Sequence, residues 1–193
     1  MNSLMRRAVL AYSARNRKRK AAVIVQFIRE NAITDAIFVG SGMGANPNEG
    51  IVEMAVAHEV SVRAACDIRY AATPWPFVVT DGRALPYADD CVDMVLSNAV
   101  IEHVGGRAEQ ETFVAEQSRV ARSWVITTPN RWFPVESHTS AILRHWSPTW
   151  RSARPEFTRL LSRREFRELL PPGATVHGRP WSSTFIGFYT RDA

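Results

Sequence analysis

Ile37-Phe38-Val39-Gly40-Ser41-Gly42-Met43-Gly44 joins a short apolar run to a loop with glycine at every second position. A continuous apolar run of this kind reads as a buried strand. Just beyond it, Asn46-Pro47 reads as a cap and first-turn proline opening a helix to about His58. Strand, glycine loop and helix start together make a nucleotide-type loop. Without a Cβ the backbone turns sharply, and a ligand can approach the N–H groups where the helix dipole favours an anion. With Ala45 the run also satisfies G-x-G-x-x-A, so a dinucleotide-binding Rossmann unit is a second reading.

Outward from this loop, β-like and helical runs alternate, the mark of an open α/β sheet. Residues 36–39, 60–66, 77–80, 92–97 and 124–128 read as five buried, parallel strands. Arg107 to Arg122 reads as a helix with Phe113, Val114, Val120 and Ala121 on one face. Ser162-Arg163-Arg164-Glu165 is a capping box opening a short helix that Pro171-Pro172-Gly173 stops. Residues 175–177 and 184–190 follow as strands with nothing helical between them, so they should pair antiparallel at a sheet edge. The first thirty residues read as a basic helix with an apolar stripe of Ile24, Phe27 and Ile28. Residues 131–160 are aromatic and proline-rich, and read as a cap over a pocket. At 193 residues the chain is expected to be one domain, with segment 1–31 as a helical extension.

No apolar run approaches the roughly 18 residues of a membrane span, which excludes an integral membrane protein of the helical kind. The apolar part after Arg6-Arg7 is too short for a signal peptide, though the acid-free, Arg-rich first 29 residues also fit an organellar presequence. Cys66 and Cys91 have neither a C-x-x-C spacing nor a nearby His pair, which argues for a reducing cytoplasm and against a disulfide or zinc scaffold. The net charge of +5 is distributed in blocks: +7 over residues 1–30, −7 over 31–143 and +5 over 144–179. An acidic centre with basic ends argues against a nucleic-acid binder and places any basic surface at the ends.

Two further acids sharpen the ligand. Asp67 follows the second strand, where an open α/β sheet places ligands and where a carboxylate can accept both hydroxyls of a ribose. Asp81-Gly82-Arg83-Ala84-Leu85-Pro86-Tyr87, followed by Asp89-Asp90-Cys91-Val92-Asp93-Met94-Val95-Leu96-Ser97, is a stretch that a dinucleotide enzyme does not call for. It resembles the class I S-adenosylmethionine-dependent methyltransferases of the broad small-molecule group. That resemblance covers about residues 30–130 and, more loosely, the final strand pair. It implies a Rossmann-like seven-stranded, mostly parallel sheet with helices on both faces and an antiparallel C-terminal pair. Gly40, Ser41, Gly42 and Gly44 then match the loop that holds the methionine part of S-adenosylmethionine. Asp67, with Ile68 after it, matches the ribose site, Asp81 and Gly82 the adenine edge, and Asn98 a position lining the pocket near the methionine moiety. One departure is Phe38, where the family has an acid that helps order the loop and the cofactor's ammonium end.

Glu102, His103, Glu136 and His138 follow the fourth and fifth strands, where substrate-side residues belong. His103 and His138 are the candidate general bases for a hydroxyl acceptor, because a neutral imidazole titrates near working pH. A metal held by these four side chains is not expected: Glu102-His103 resembles the pair in the ubiquinone-pathway O-methyltransferases, but the position of their additional metal-site Glu is Ala99 here. Trp132, Phe133, Trp146, Trp150 and Phe157 are candidate walls of the acceptor site. The expected function is methyl transfer to a small-molecule, lipid-linked or glycan-linked acceptor. The alternatives are an inactive methyltransferase-fold binding module, motivated by Phe38, and a dinucleotide-dependent oxidoreductase. The expected location is cytoplasmic, with the N-terminal helix touching an anionic membrane surface.

Overall fold

The computed structural model describes residues 3–41, 48–134, 146, 147, 149 and 159–191, with side chains from Leu10 onward. Helix α1 (Ser3–Glu30) has neither glycine nor proline in 28 residues, so nothing interrupts its hydrogen-bond ladder. It ends where Ala32 takes a left-handed φ of 49° and the Ile33 N–H closes on the Ile28 carbonyl at 3.1 Å, a Schellman-type stop.

Seven strands form one sheet in the order β3-β2-β1-β4-β5-β7-β6. Strands β1 (Asp35–Val39), β2 (Ser61–Asp67), β3 (Phe77–Val79), β4 (Val92–Asn98) and β5 (Ala121–Pro129) run parallel. Strand β7 (Thr184–Thr190) is antiparallel to both β5 and the edge strand β6 (Thr175–His177). The expected C-terminal pair is therefore present, at the expected residues.

Side chains alternate between the two faces, and each face has its own core. Phe38, Met94, Leu96, Val125 and Ile186 pack with Ala21, Ile24 and Ile28 of α1 and Val52 and Val56 of α2 (Ile51–Ala57). Ile37, Val95, Trp124 and Phe185 pack instead with Phe113 of α3 (Arg107–Val120) and Phe166 of α4 (Arg163–Leu169). The α4 capping box forms as read, with Ser162 and Glu165 bonded reciprocally.

Three boundaries differ by more than one residue from the sequence reading. Helix α2 begins at Ile51, after Gly50 at φ 80°, and the Asn46-Pro47 start lies outside the described residues. Helix α3 ends at Val120: Ala121 pairs with Val92 of β4, and the Arg122 carbonyl accepts from the Arg191 N–H at 2.9 Å. The sheet thus claims two residues expected in the helix, and β5 starts three residues earlier. Of the 131–160 cap, only residues 131–134, 146, 147, 149, 159 and 160 are described.

No helix among the described residues is long and apolar enough to cross a membrane. Helix α1 spans about 42 Å at 1.5 Å per residue, more than twice the length of five-residue β1. Its C-terminal half lies on the sheet. Its N-terminal part passes the carboxyl ends of the strands, where Tyr12 stacks on Phe133 at 6.3 Å and Arg17 donates to the Asn48 carbonyl at 2.9 Å.

Candidate active site

Three neighbouring strand ends define the site. Strand β1 lies between β2 and β4, with Val39 opposite Cys66 on one side and Ser97 on the other. Asp67 closes β2, Gly40 follows β1 and Asn98 closes β4, so the polar ends of this row are two strand spacings apart, about 10 Å. Gly40 must be glycine: its φ is +75°, and a Cβ there would lie 2.1 Å from Val100 Cγ2. Its N–H donates to the Cys66 carbonyl at 2.7 Å, tying the loop to β2. Ser41 is buried beside it, while Gly42 and Gly44 lie outside the described residues.

Asn98 is the centre of a polar cluster that three elements build. Its Oδ1 accepts from Lys20 Nζ of α1 at 2.6 Å and from Thr127 Oγ1 of β5 at 2.8 Å. Its Nδ2 donates to Glu53 Oε1 of α2 at 2.7 Å. The turn beyond is held tightly, because the Ala99 N–H donates to Thr127 Oγ1 and to the Thr127 carbonyl, both at 3.1 Å. Ala99 itself sits at φ 61°, a left-handed conformation that costs a non-glycine residue about 1 kcal/mol or more. Burial pulls the Lys20 ammonium down to about 8, against the upward pull of Glu53 and Glu102.

Comparisons with known proteins show what this domain is similar to. The methyltransferase-domain family model matches residues 38–124, from the end of β1 into β5. Over those residues the chain is similar to the methyltransferase-domain family. A S-adenosylmethionine-dependent methyltransferase from Clostridium acetobutylicum ATCC 824 superposes with a TM-score of 0.62 at 7% identity, over 90% of this chain and 91% of that one. The N-methyltransferase NodS from Bradyrhizobium japonicum WM9 gives 0.60 at 10%, over 93% and 97%. A Rhodobacter sphaeroides structure described provisionally as a Zn-dependent alcohol dehydrogenase gives 0.57 at 12%, over 88% and 89%. At these identities the likeness speaks for the fold alone. No curated protein matches in sequence.

The remaining residues of the methyltransferase motifs divide between rim and scaffold. Asp67 is half-buried, and its Oδ1 accepts from the Arg69 N–H at 3.3 Å. Ile68 beside it is exposed. Asp81 forks onto Arg83, with Oδ2 2.6 Å from Nη2, and the guanidinium holds its carboxyl below the usual carboxylate range. Gly82 has a packing reason of its own: a Cβ would meet Phe113 at 2.6 Å and Val39 at 2.9 Å. The Leu85-Pro86-Tyr87 segment is pinned by α3. Glu116 Oε1 accepts from the Leu85 N–H at 2.6 Å, and Arg119 donates to the Tyr87 and Leu85 carbonyls at 2.9 and 3.2 Å. Asp93 lies at the opposite end of the sheet, where it accepts from the Thr34 N–H and hydroxyl at 2.8 and 2.7 Å.

On the acceptor side, Glu102 is fully buried and accepts from Thr128 Oγ1 at 3.2 Å, whereas His103 is exposed on the 3-10 turn Ile101–His103. Glu136, His138, Trp150 and Phe157 lie outside the described residues. Trp132 is exposed, and Asn130 beneath it donates to the Pro180 and Ser182 carbonyls at 2.8 Å each. These residues border a cavity of about 740 Å³ whose rim includes Arg163, Arg164 and Arg167.

Lys20, Glu53 and Thr127 were absent from the sequence-derived site. A signal for the first two existed. Lys20 continues the i, i+4 stripe of Ile24 and Ile28, and Glu53 falls within the buried face of Val52 and Val56. A charge inside an apolar stripe asks for a buried partner.

Proposed function

We propose that this methyltransferase transfers a methyl group from S-adenosylmethionine to a small anionic acceptor, free or linked to a lipid or glycan. The observation that supports cofactor binding is the row of Asp67, Gly40 and Asn98 on adjacent strand ends. Asp67 accepts the ribose hydroxyls, Gly40 and Ser41 bring backbone close to the ligand, and Asn98 borders its methionine end. Asp81 and Gly82 edge the adenine. The −7 charge of residues 31–143 suits a cationic sulfonium better than a phosphate-rich dinucleotide.

When bound, the cofactor supplies a methyl already activated on sulfur. The chain's task is then to hold the acceptor in line and exclude water, an effect worth up to roughly 7–11 kcal/mol. For a hydroxyl acceptor, His103 takes the proton, with His138 as the second candidate base. An acceptor of anionic character is supported by the arginine-rimmed cavity beside the carboxyl end of β5. Arg15, Lys18 and Arg19 support docking on an anionic membrane: they lie exposed at i, i+3 and i+4 of α1, facing away from Lys20's buried contacts.

Thermal unfolding with S-adenosylmethionine, S-adenosylhomocysteine and NAD in turn tests the cofactor. An adenosyl ligand at 100 times its Kd raises the midpoint by roughly 5–11 °C for a chain of this size. A shift with NAD alone, or with none of the three at millimolar concentration, would sink this reading. Pelleting with anionic liposomes, wild type against an Arg15/Lys18/Arg19→Ala triple variant, tests the membrane surface; equal pelleting refutes it.

A further inference from the structure

The Phe38 position leaves a chemical requirement open. A ligand with its ribose at Asp67 and its sulfur near Gly40 extends a carboxylate and an ammonium toward the end of β4. The family's acid for the ammonium end is replaced here by Phe38, fully buried and packed edge-on against Trp75 at 4.9 Å. Residues 42–47 of the loop, Gly-Met-Gly-Ala-Asn-Pro, contain no ionisable side chain. Any charged side chain that meets them therefore comes from outside these residues.

Two charged side chains already converge on Asn98 from separate helices. Lys20 Nζ is 2.6 Å from Asn98 Oδ1, and Glu53 Oε1 is 2.7 Å from Asn98 Nδ2. Glu53 is buried, and Lys20 is largely withdrawn from water. A lysine at the edge of a hydrophobic helix stripe gives up hydration. Among the described residues its acidic neighbours are Glu53 and Glu102, and Glu102 is already engaged by Thr128. Resting on the adenosyl-ligand reading above, we infer that Lys20 and Glu53 bind the carboxylate and the ammonium of the cofactor's amino-acid end, with Asn98 holding the two in register. The N-terminal helix is then a wall of the cofactor site. Glu53, on α2, then does the work of the missing acid.

Methylthioadenosine has the adenosine and sulfur of S-adenosylhomocysteine but lacks the amino-acid end, which makes the pair a direct test. Calorimetric titration of both ligands is carried out on the full chain, wild type against Lys20→Met and Glu53→Gln. Each variant is expected to bind S-adenosylhomocysteine at least tenfold more weakly, and methylthioadenosine as wild type does. If Lys20→Met fails to fold, Lys20→Gln keeps a donor to Asn98 and carries the same expectation. Equal weakening of both ligands, or unchanged S-adenosylhomocysteine binding, overturns the inference while the adenosyl reading stands. A wild type that binds neither ligand overturns that reading itself.

Discussion

The ammonium of Lys20 and the side-chain oxygen of Asn98 meet at 2.6 Å across 78 residues of chain. One belongs to a helix that precedes the sheet, the other to the end of its central strand β4. Their contact ties the helix to that strand end.

The contact has a pH signature. Burial lowers Lys20 from 10.5 to about 8, so the unfolded chain holds more protons between those values, and stability rises with pH through that window. Below about 8 the cost of burying the charged amine is present in full. The difference in unfolding free energy between wild type and Lys20→Met, from urea titrations, should climb from pH 8 to 10.5 and stay flat from pH 6 to 7. A flat difference throughout would show that Lys20 titrates normally.

Among the described residues the Asp67 side chain accepts one long hydrogen bond, from the Arg69 N–H at 3.3 Å. Asp67→Ala should therefore unfold within about 0.5 kcal/mol of wild type. The same variant should lose about 1.5–3 kcal/mol of adenosyl-ligand affinity, roughly 10- to 100-fold, as expected when bonds to a charged acceptor go. Calorimetry on S-adenosylhomocysteine measures it, and an unchanged Kd would remove the ribose assignment.

Gly40→Ala places a methyl 2.1 Å from Val100 Cγ2 at a φ of +75°. The expected loss is about 2–4 kcal/mol, part steric and part conformational. Adding Val100→Ala should restore the steric part alone. Full recovery in the double variant would show that the left-handed backbone is not strained by a side chain here.

Arg119 and Glu116 together hold Leu85 and Tyr87 against α3, and the Arg119 guanidinium keeps the Glu116 carboxyl below its usual range. Arg119→Met should cost about 1–3 kcal/mol of stability. It should also raise hydrogen exchange at the Leu85 and Tyr87 amides selectively. Uniform exchange across the sheet would instead mean that α3 as a whole has loosened.

Much of this architecture was legible because it is local. Residues 175–177 and 184–190 read correctly as strands from their composition, and Ser162 to Glu165 as a capping box from its spacing. The β5 start was missed because Ala121-Arg122 suits a helix as well as a strand. Pairing with Val92 decides it, and that is a long-range contact. Gly82 illustrates another limit: the resemblance assigns it to a ligand edge, while the structure shows a packing need for glycine under Phe113. The Lys20–Asn98–Glu53 cluster stayed hidden because a lysine in a basic helix reads as solvated until its partner is known.

Helix α1 has one more consequence, in the order of synthesis. Asn16 meets Ser183 and Asn31 meets Thr190, so the helix is anchored partly by residues made 159 to 167 positions later. At about 5–20 residues per second, the ribosome needs roughly ten to thirty seconds to supply them. Throughout that interval Ala21, Ile24 and Ile28 lack the β7 part of their docking face. The first thirty residues carry eight cations against one acid, and like charges flanking an apolar stripe oppose its self-association while β7 is still to come.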